Sequence, residues 1–113
     1  MDAVTTPQLL TQIRRACRHA KRVHYVEDRI IDVDVLHVIV HLTKPKTFIN
    51  VFYNLATDKI AFALIQKNKR IYGADNAKIG WHYHPFADPR QHITCEPMTF
   101  VAFLQAVDDY FGY

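Results

Sequence analysis

Near the start of the chain apolar residues recur every three or four positions: Leu9, Leu10, Ile13, Ala16, Cys17 and Ala20. That spacing gives one apolar stripe and predicts a helix over 6–22, with Thr6 as N-cap and Pro7 in the first turn. Arg14, Arg15, Arg18 and Arg22 fall mostly on the opposite side, as a solvated face or a surface for RNA or an acidic partner. From 23 to 76 the period shortens to two. Val23–Val26 and Ile30–Asp34 flank a charged stretch, Glu27-Asp28-Arg29, which reads as a turn. Val35–Leu42 is β-branched and ends before Pro45. In Thr47–Tyr53, Phe48, Asn50 and Phe52 alternate with Ile49, Val51 and Tyr53. Lys59–Gln66 places Ile60, Phe62 and Leu64 on one face, and Arg70–Ala74 follows the turn Lys67-Asn68-Lys69. Trp81–His84 forms a last strand, and 85–95, with Pro85 and Pro89, reads as loop.

A second helix is predicted over 97–111, opened by Glu96-Pro97, with Phe100, Phe103, Leu104, Val107 and Phe111 as its apolar face. Short connections between successive strands favour an antiparallel meander. The expected fold is α+β: an N-terminal helix, a meander of five or six strands and a C-terminal helix, with both helices on one sheet face. A chain of 113 residues builds one such domain, spanning 1–113, and neither a repeat nor a linker interrupts it.

Composition narrows the class. Half the residues are hydrophobic and 22% are charged, which excludes a disordered or low-complexity chain. No apolar run nears the roughly 18 residues of a membrane span, and the N-terminus lacks a signal-peptide pattern. The chain reads as a soluble cytoplasmic protein without a membrane partner. Cys17 and Cys95 read as free thiols of a reducing compartment, with a single bridge between them as the alternative. The net charge of +3 is unevenly spread: residues 44–78 hold seven Lys/Arg against Asp58 and Asp75.

Histidine is the unusual count, at seven, and His82, His84 and His92 crowd one stretch. The segment 70–92 also holds Arg70, Tyr72, Asp75, Asn76, Trp81, Tyr83, Asp88 and Arg90. A core has no use for that mixture, because buried polar groups cost free energy unless paired. On an extended 81–84, His82 and His84 share a face about 7 Å apart, while Trp81 and Tyr83 point to the hydrophobic layer. Two chemistries fit. Three neutral imidazoles (His82, His84, His92) with an open fourth position make a catalytic-type zinc site, with Asp75 or Asp88 as ligand or orienting group. Alternatively the site is free of cofactor and works by acid–base catalysis on RNA. One His then takes the 2′-hydroxyl proton, another protonates the leaving oxygen, and Arg70 or Arg90 stabilises the phosphorane. The metal-free version is preferred, with His82, His84, His92, Asp75 and Arg70 as catalytic candidates. Arg90, Asn76, Tyr72, Arg14 and Arg18 are the binding candidates. His37 and His41 share another strand face and read as locally satisfied; His19 and His24 read as surface residues.

The run Arg70-Ile71-Tyr72-Gly73-Ala74-Asp75-Asn76, followed by Trp81-His82-Tyr83-His84-Pro85 and a later His92, resembles the TumE family. Those small proteins are described as toxin partners in toxin–antitoxin pairs. Arg70, Asp75, Asn76, His84 and His92 match the family's motif, whereas Gly73-Ala74 stands where the family usually has a bulky aromatic. The resemblance implies a toxin-like protein neutralised by a cognate helix-turn-helix antitoxin. Gly80-Trp81-His82-Tyr83-His84-Pro85 is also similar to the His-x-His-Pro of JAMM-type metalloproteases. That motif needs a downstream Ser and Asp, where this chain has His92 and Cys95, and an upstream Glu, where it has only Glu27. A cupin fits less well still, since the Glu and glycines of its metal motif are missing. A non-enzymatic module, in which the polar cluster braces loop 85–95, is the rival class. The open edge of a meander also suggests a homodimer.

Overall fold

The computed structural model describes residues 3–78 and 80–112. Helix α1 (Thr6–Arg18) leads into β1 (Val23–Ile31), β2 (Val35–Leu42), β3 (Thr47–Asn54), β4 (Lys59–Gln66), β5 (Lys69–Asp75), β6 (His82–His84) and β7 (Ile93–Thr94), and α2 (Phe100–Phe111) closes the chain. The strands form one antiparallel sheet in sequence order. The fold is the α+β meander expected, with one strand more: β7 lies in the segment read as loop.

Both helices start later or stop earlier than their apolar stripes imply, and local hydrogen bonds explain why. At α1 the cap is Thr5. Its hydroxyl accepts from the Gln8 amide at 3.3 Å, and the Gln8 side chain accepts from the Thr5 amide at 2.9 Å. This reciprocal pair satisfies two donors that the helix end leaves bare. Thr6, the expected cap, is buried, and its hydroxyl donates to the Asp32 carbonyl at 2.6 Å. The helix stops at Arg18, where Ala20 N–H donates to Cys17 and Val23 N–H donates to Ala20, turning the chain into β1. Arg22 therefore does not join the solvated face. It is buried, 3.6 Å from Asp108, donates to the Phe111 carbonyl at 3.1 Å and lies over the Phe111 ring at 4.9 Å. At α2, Thr99 caps by accepting from the Ala102 amide at 3.1 Å, so Pro97 precedes the helix instead of opening it.

Glu27-Asp28-Arg29 does not turn. β1 runs through it with a register shift between Asp28 and Ile30, and the reversal comes at Asp32, whose carboxylate accepts from Val33 N–H at 2.7 Å. Charged residues tolerate this because β1 is an edge strand.

Alternation then sorts the sheet into two faces. Leu36, Val38, Val40, Leu42, Ile49, Val51, Tyr53, Phe62, Leu64, Tyr72 and Ala74 bury against Leu10, Ile13 and Cys17 of α1 and Phe100, Phe103, Leu104 and Val107 of α2. Phe62 sits among rings, 5.8 Å from Tyr53, 6.1 Å from Phe100 and 5.4 Å from Phe103. Among the described residues no helix packs on the other face. Both cysteines are free; Cys17 is buried, which pushes its thiol up to about 11. Among the described residues no helix is long and apolar enough to cross a membrane.

Candidate functional site

The register decides which side chains meet. Tyr72 and Ala74 face the helices, so Gly73 and Asp75, which alternate with them, face the open side. Gly73 pairs with His84 and Asp75 with His82, which puts both imidazoles on that open side. β7 then returns alongside β6, with Thr94 opposite His82, and carries His92 back over the same patch. The three rings lie close together: centroids are 5.1 Å apart for His82 and His84, 5.0 Å for His82 and His92, and 4.6 Å for His84 and His92. One ligand nitrogen from each can be chosen so that all lie within 4.8 Å of one another, so this trio could hold a metal ion. His82 and His84 are buried at 4% and 2% exposure, while His92 is exposed.

Each ring is held by neighbours that sequence alone does not reveal. His82 Nδ1 donates to the Gly80 carbonyl at 2.9 Å, and His84 Nδ1 donates to the Gln91 carbonyl at 3.0 Å. Both Nε2 atoms face Asp75, His82 toward Oδ1 and His84 toward Oδ2, each at 3.3 Å. Asp75 Oδ1 also accepts from Ala77 N–H at 3.0 Å, which fixes the carboxylate. Gly73 explains how His84 lies so close to the sheet. A Cβ there would come within 3.3 Å of the His84 ring and 3.2 Å of the Arg70 stem. Arg70 crosses behind His84, 3.4 Å from Nδ1, and donates to the Pro89 carbonyl at 3.0 Å, anchoring the loop.

Together Arg70, Asp75, Ala77, Lys78, His82, His84 and His92 line an open pocket of about 310 Å³. A larger hollow of about 510 Å³ lies between α1 and α2. Its walls include Ala16, Ala20, Val101 and Leu104 and gather no comparable ligand set, so chemistry and not size picks the site. The His92 ring is held below its ordinary pKa, first by desolvation, then by His84, His82 and Arg70, with Asp75 opposing.

The remaining candidates fall elsewhere. Tyr72 is in the core on the opposite face, stacked on Phe86 at 4.3 Å and packed on Phe103 at 5.0 Å, so it is not a binding residue of this pocket. Asn76 is a brace: its side chain accepts from Ile60 N–H at 2.9 Å and donates to the Asp58 carbonyl at 2.6 Å. Arg90 is exposed and pairs with Asp88 at 3.1 Å, which holds the Asp88 carboxyl below its usual range. Arg14 pairs with Asp28, and Arg18 is exposed on the same helix, which covers the far face of the sheet. His37 meets Asn50 at 2.5 Å and His41 meets Glu27 at 2.7 Å, with β3 and β4 between them and the pocket. Lys78 is the pocket residue that the sequence reading missed. It sits in a left-handed turn conformation at φ 61°, for which a lysine carries no signal.

Comparison with protein-family models, with curated proteins and with solved structures finds no match to this chain. The likeness to the TumE family rests on the motif quoted above.

Proposed function

We propose that this pocket cleaves RNA and that the chain is the toxin-like member of a toxin–antitoxin pair, held inactive by a helix-turn-helix antitoxin. The observation that supports the reading is the meeting of three imidazoles, one carboxylate and two cationic side chains on an otherwise helix-free sheet face. Phosphodiester cleavage needs what these groups supply. The 2′-oxygen attacks phosphorus, the bond to the 5′-oxygen breaks, and a 2′,3′-cyclic phosphate and a 5′-hydroxyl result. His92 is the one exposed ring of the three and takes the 2′-hydroxyl proton. Arg70 and Lys78 balance the charge gathering on the phosphorane. The leaving 5′-oxygen takes its proton from a second imidazole, His82 or His84, which Asp75 orients.

The test uses the purified chain on single-stranded RNA and its expression in cells. Wild type is expected to give fragments ending in cyclic phosphate and to arrest growth, and His84→Ala to lose both. The antitoxin partner, co-expressed, restores growth. Uncut RNA together with unimpaired growth under wild-type expression overturns the reading.

A further inference from the structure

The nearest backbone neighbour sets which nitrogen of each buried ring is bare. A carbonyl only accepts, so the Nδ1 atoms facing Gly80 and Gln91 carry the protons; at His84 the carbonyl, at 3.0 Å, lies nearer than the competing Arg70 Nη2 at 3.4 Å. In the neutral rings the Nε2 atoms are therefore lone pairs. Each Nε2 lies 3.3 Å from an oxygen of Asp75, and an ionised carboxylate is also an acceptor. Acceptors brought this close repel, and here it occurs twice, at rings 4% and 2% exposed. A positive charge beside all three groups relieves both contacts.

Two protons would serve, one on each ring. That places two charged rings 5.1 Å apart, with the Arg70 guanidinium 3.4 Å from one of them, against a single carboxylate. Two charged rings so close repel each other as well as the guanidinium. One divalent cation carries the same total charge but leaves both rings neutral and bonds to both nitrogens and the carboxylate at once. We infer that His82 Nε2, His84 Nε2 and the Asp75 carboxylate hold a divalent transition-metal ion of the zinc type. Three features of the site agree. Zinc bonds of about 2.0–2.1 Å in a tetrahedron set ligand atoms about 3.3 Å apart, the separation of His82 Nε2 from Asp75 Oδ1 and of His84 Nε2 from Asp75 Oδ2. Ring N–H groups donating to backbone carbonyls are how proteins orient metal-binding histidines. The donor set of two nitrogens and one carboxylate suits zinc, iron or cobalt and not magnesium or calcium, which seek oxygen. We leave His92 outside the tightest ligand set because it is the exposed ring of the three; its ligand nitrogen still lies within 4.8 Å of theirs, beside the ion's open position, where it serves as the proton acceptor. Bound there, the ion is a Lewis acid beside the pocket mouth. The site stands on its own geometry and adds a resident ion to the RNA-cleaving reading.

The full chain is stripped with chelator and titrated with Zn²⁺ by calorimetry, with Co²⁺ by visible absorption, and with Mg²⁺ for comparison. One Zn²⁺ or Co²⁺ per chain and no Mg²⁺ is the expected result. Asp75→Asn and His82→Gln weaken Zn²⁺ by at least tenfold, whereas His92→Gln and His37→Gln keep one ion. In the stripped protein Asp75→Asn melts higher than wild type, because an amide donates to a nitrogen that a carboxylate can only oppose. No Zn²⁺ bound by wild type, undiminished affinity in Asp75→Asn, a lower melting point for that variant, or loss of the ion in His92→Gln overturns the assignment. The RNA reading fails separately. A chain that holds Zn²⁺ but leaves RNA uncut keeps the ion site and sinks the nuclease; one that cuts RNA with no ion bound does the reverse.

Discussion

On the proposed RNA-cleaving reading, replacing His92 with alanine is expected to lower cleavage by about 10²–10⁴-fold, the span over which a positioned acid or base contributes, and to leave the fold unchanged. The ring is exposed and no described hydrogen bond runs through its side chain, so its removal opens no cavity. That separates it from His82 and His84, whose rings are buried and bonded to the backbone. The check is a pair of measurements on one preparation: cleavage rate with a single-stranded RNA, and the far-ultraviolet circular dichroism spectrum with its melting curve. Rate lost at unchanged melting is the expected outcome. A rate within threefold of wild type removes His92 from the chemistry. Arg70→Ala makes a useful companion, because Arg70 also ties down the loop through the Pro89 carbonyl and should lower both readings.

The largest effect on stability is expected at Phe103. Its side chain is wholly buried, 5.4 Å from the Phe62 ring and 5.0 Å from that of Tyr72, so it joins α2 to both β4 and β5. Truncation of such a ring costs about 3–5 kcal/mol, the lost transfer free energy plus the cavity left behind. Domains of this size are stable by about 5–15 kcal/mol, so Phe103→Ala removes a large share. A fall in Tm of about 10–20 °C follows, with a matching loss in urea. Val101→Ala on the same helix supplies the contrast. Val101 is 59% exposed, and its truncation should shift stability by no more than about 0.5 kcal/mol. Equal shifts in the two variants would show that α2 does not close the core as described.

How much of this was legible depended on whether a signal was local. Strands β2 to β5 stand where alternation put them, and β3 shows why: Ile49, Val51 and Tyr53 are buried while Phe48, Asn50 and Phe52 are only partly covered. The helix ends were misread because the cap is a competition between neighbours. Thr5 and Thr6 are chemically alike, and only the bond from Thr6 to Asp32, 26 residues away, decides between them. Glu27-Asp28-Arg29 looked like a turn because charge inside a strand is unusual, and the edge position that permits it is a property of the whole sheet. In the pocket, the histidines were visible by type and spacing, and the structure brings all three to one place with Asp75. The expected 7 Å between His82 and His84 became 5.1 Å between ring centroids because both rings turn toward the same carboxylate. Tyr72 stood in the right motif on the wrong side of the sheet, opposite to Gly73 and Asp75 by simple alternation, whereas the register shift between Leu64 and Ile65 falls between Tyr72 and Arg70 and frees Arg70 from that parity. The ring tautomers were beyond reach, since they depend on the carbonyls of Gly80 and Gln91.

The strands that carry the imidazoles are the shortest in the sheet, three residues in β6 and two in β7, and they hang at its far margin from β1. The five longer strands and both helices hold most of the buried apolar surface without them. Backbone amides of the terminal hairpin should therefore exchange with deuterium far sooner than those of β2 or β3, through an opening that leaves the body folded. A partner that grips this flap has a handle on the chemistry without having to unfold the protein.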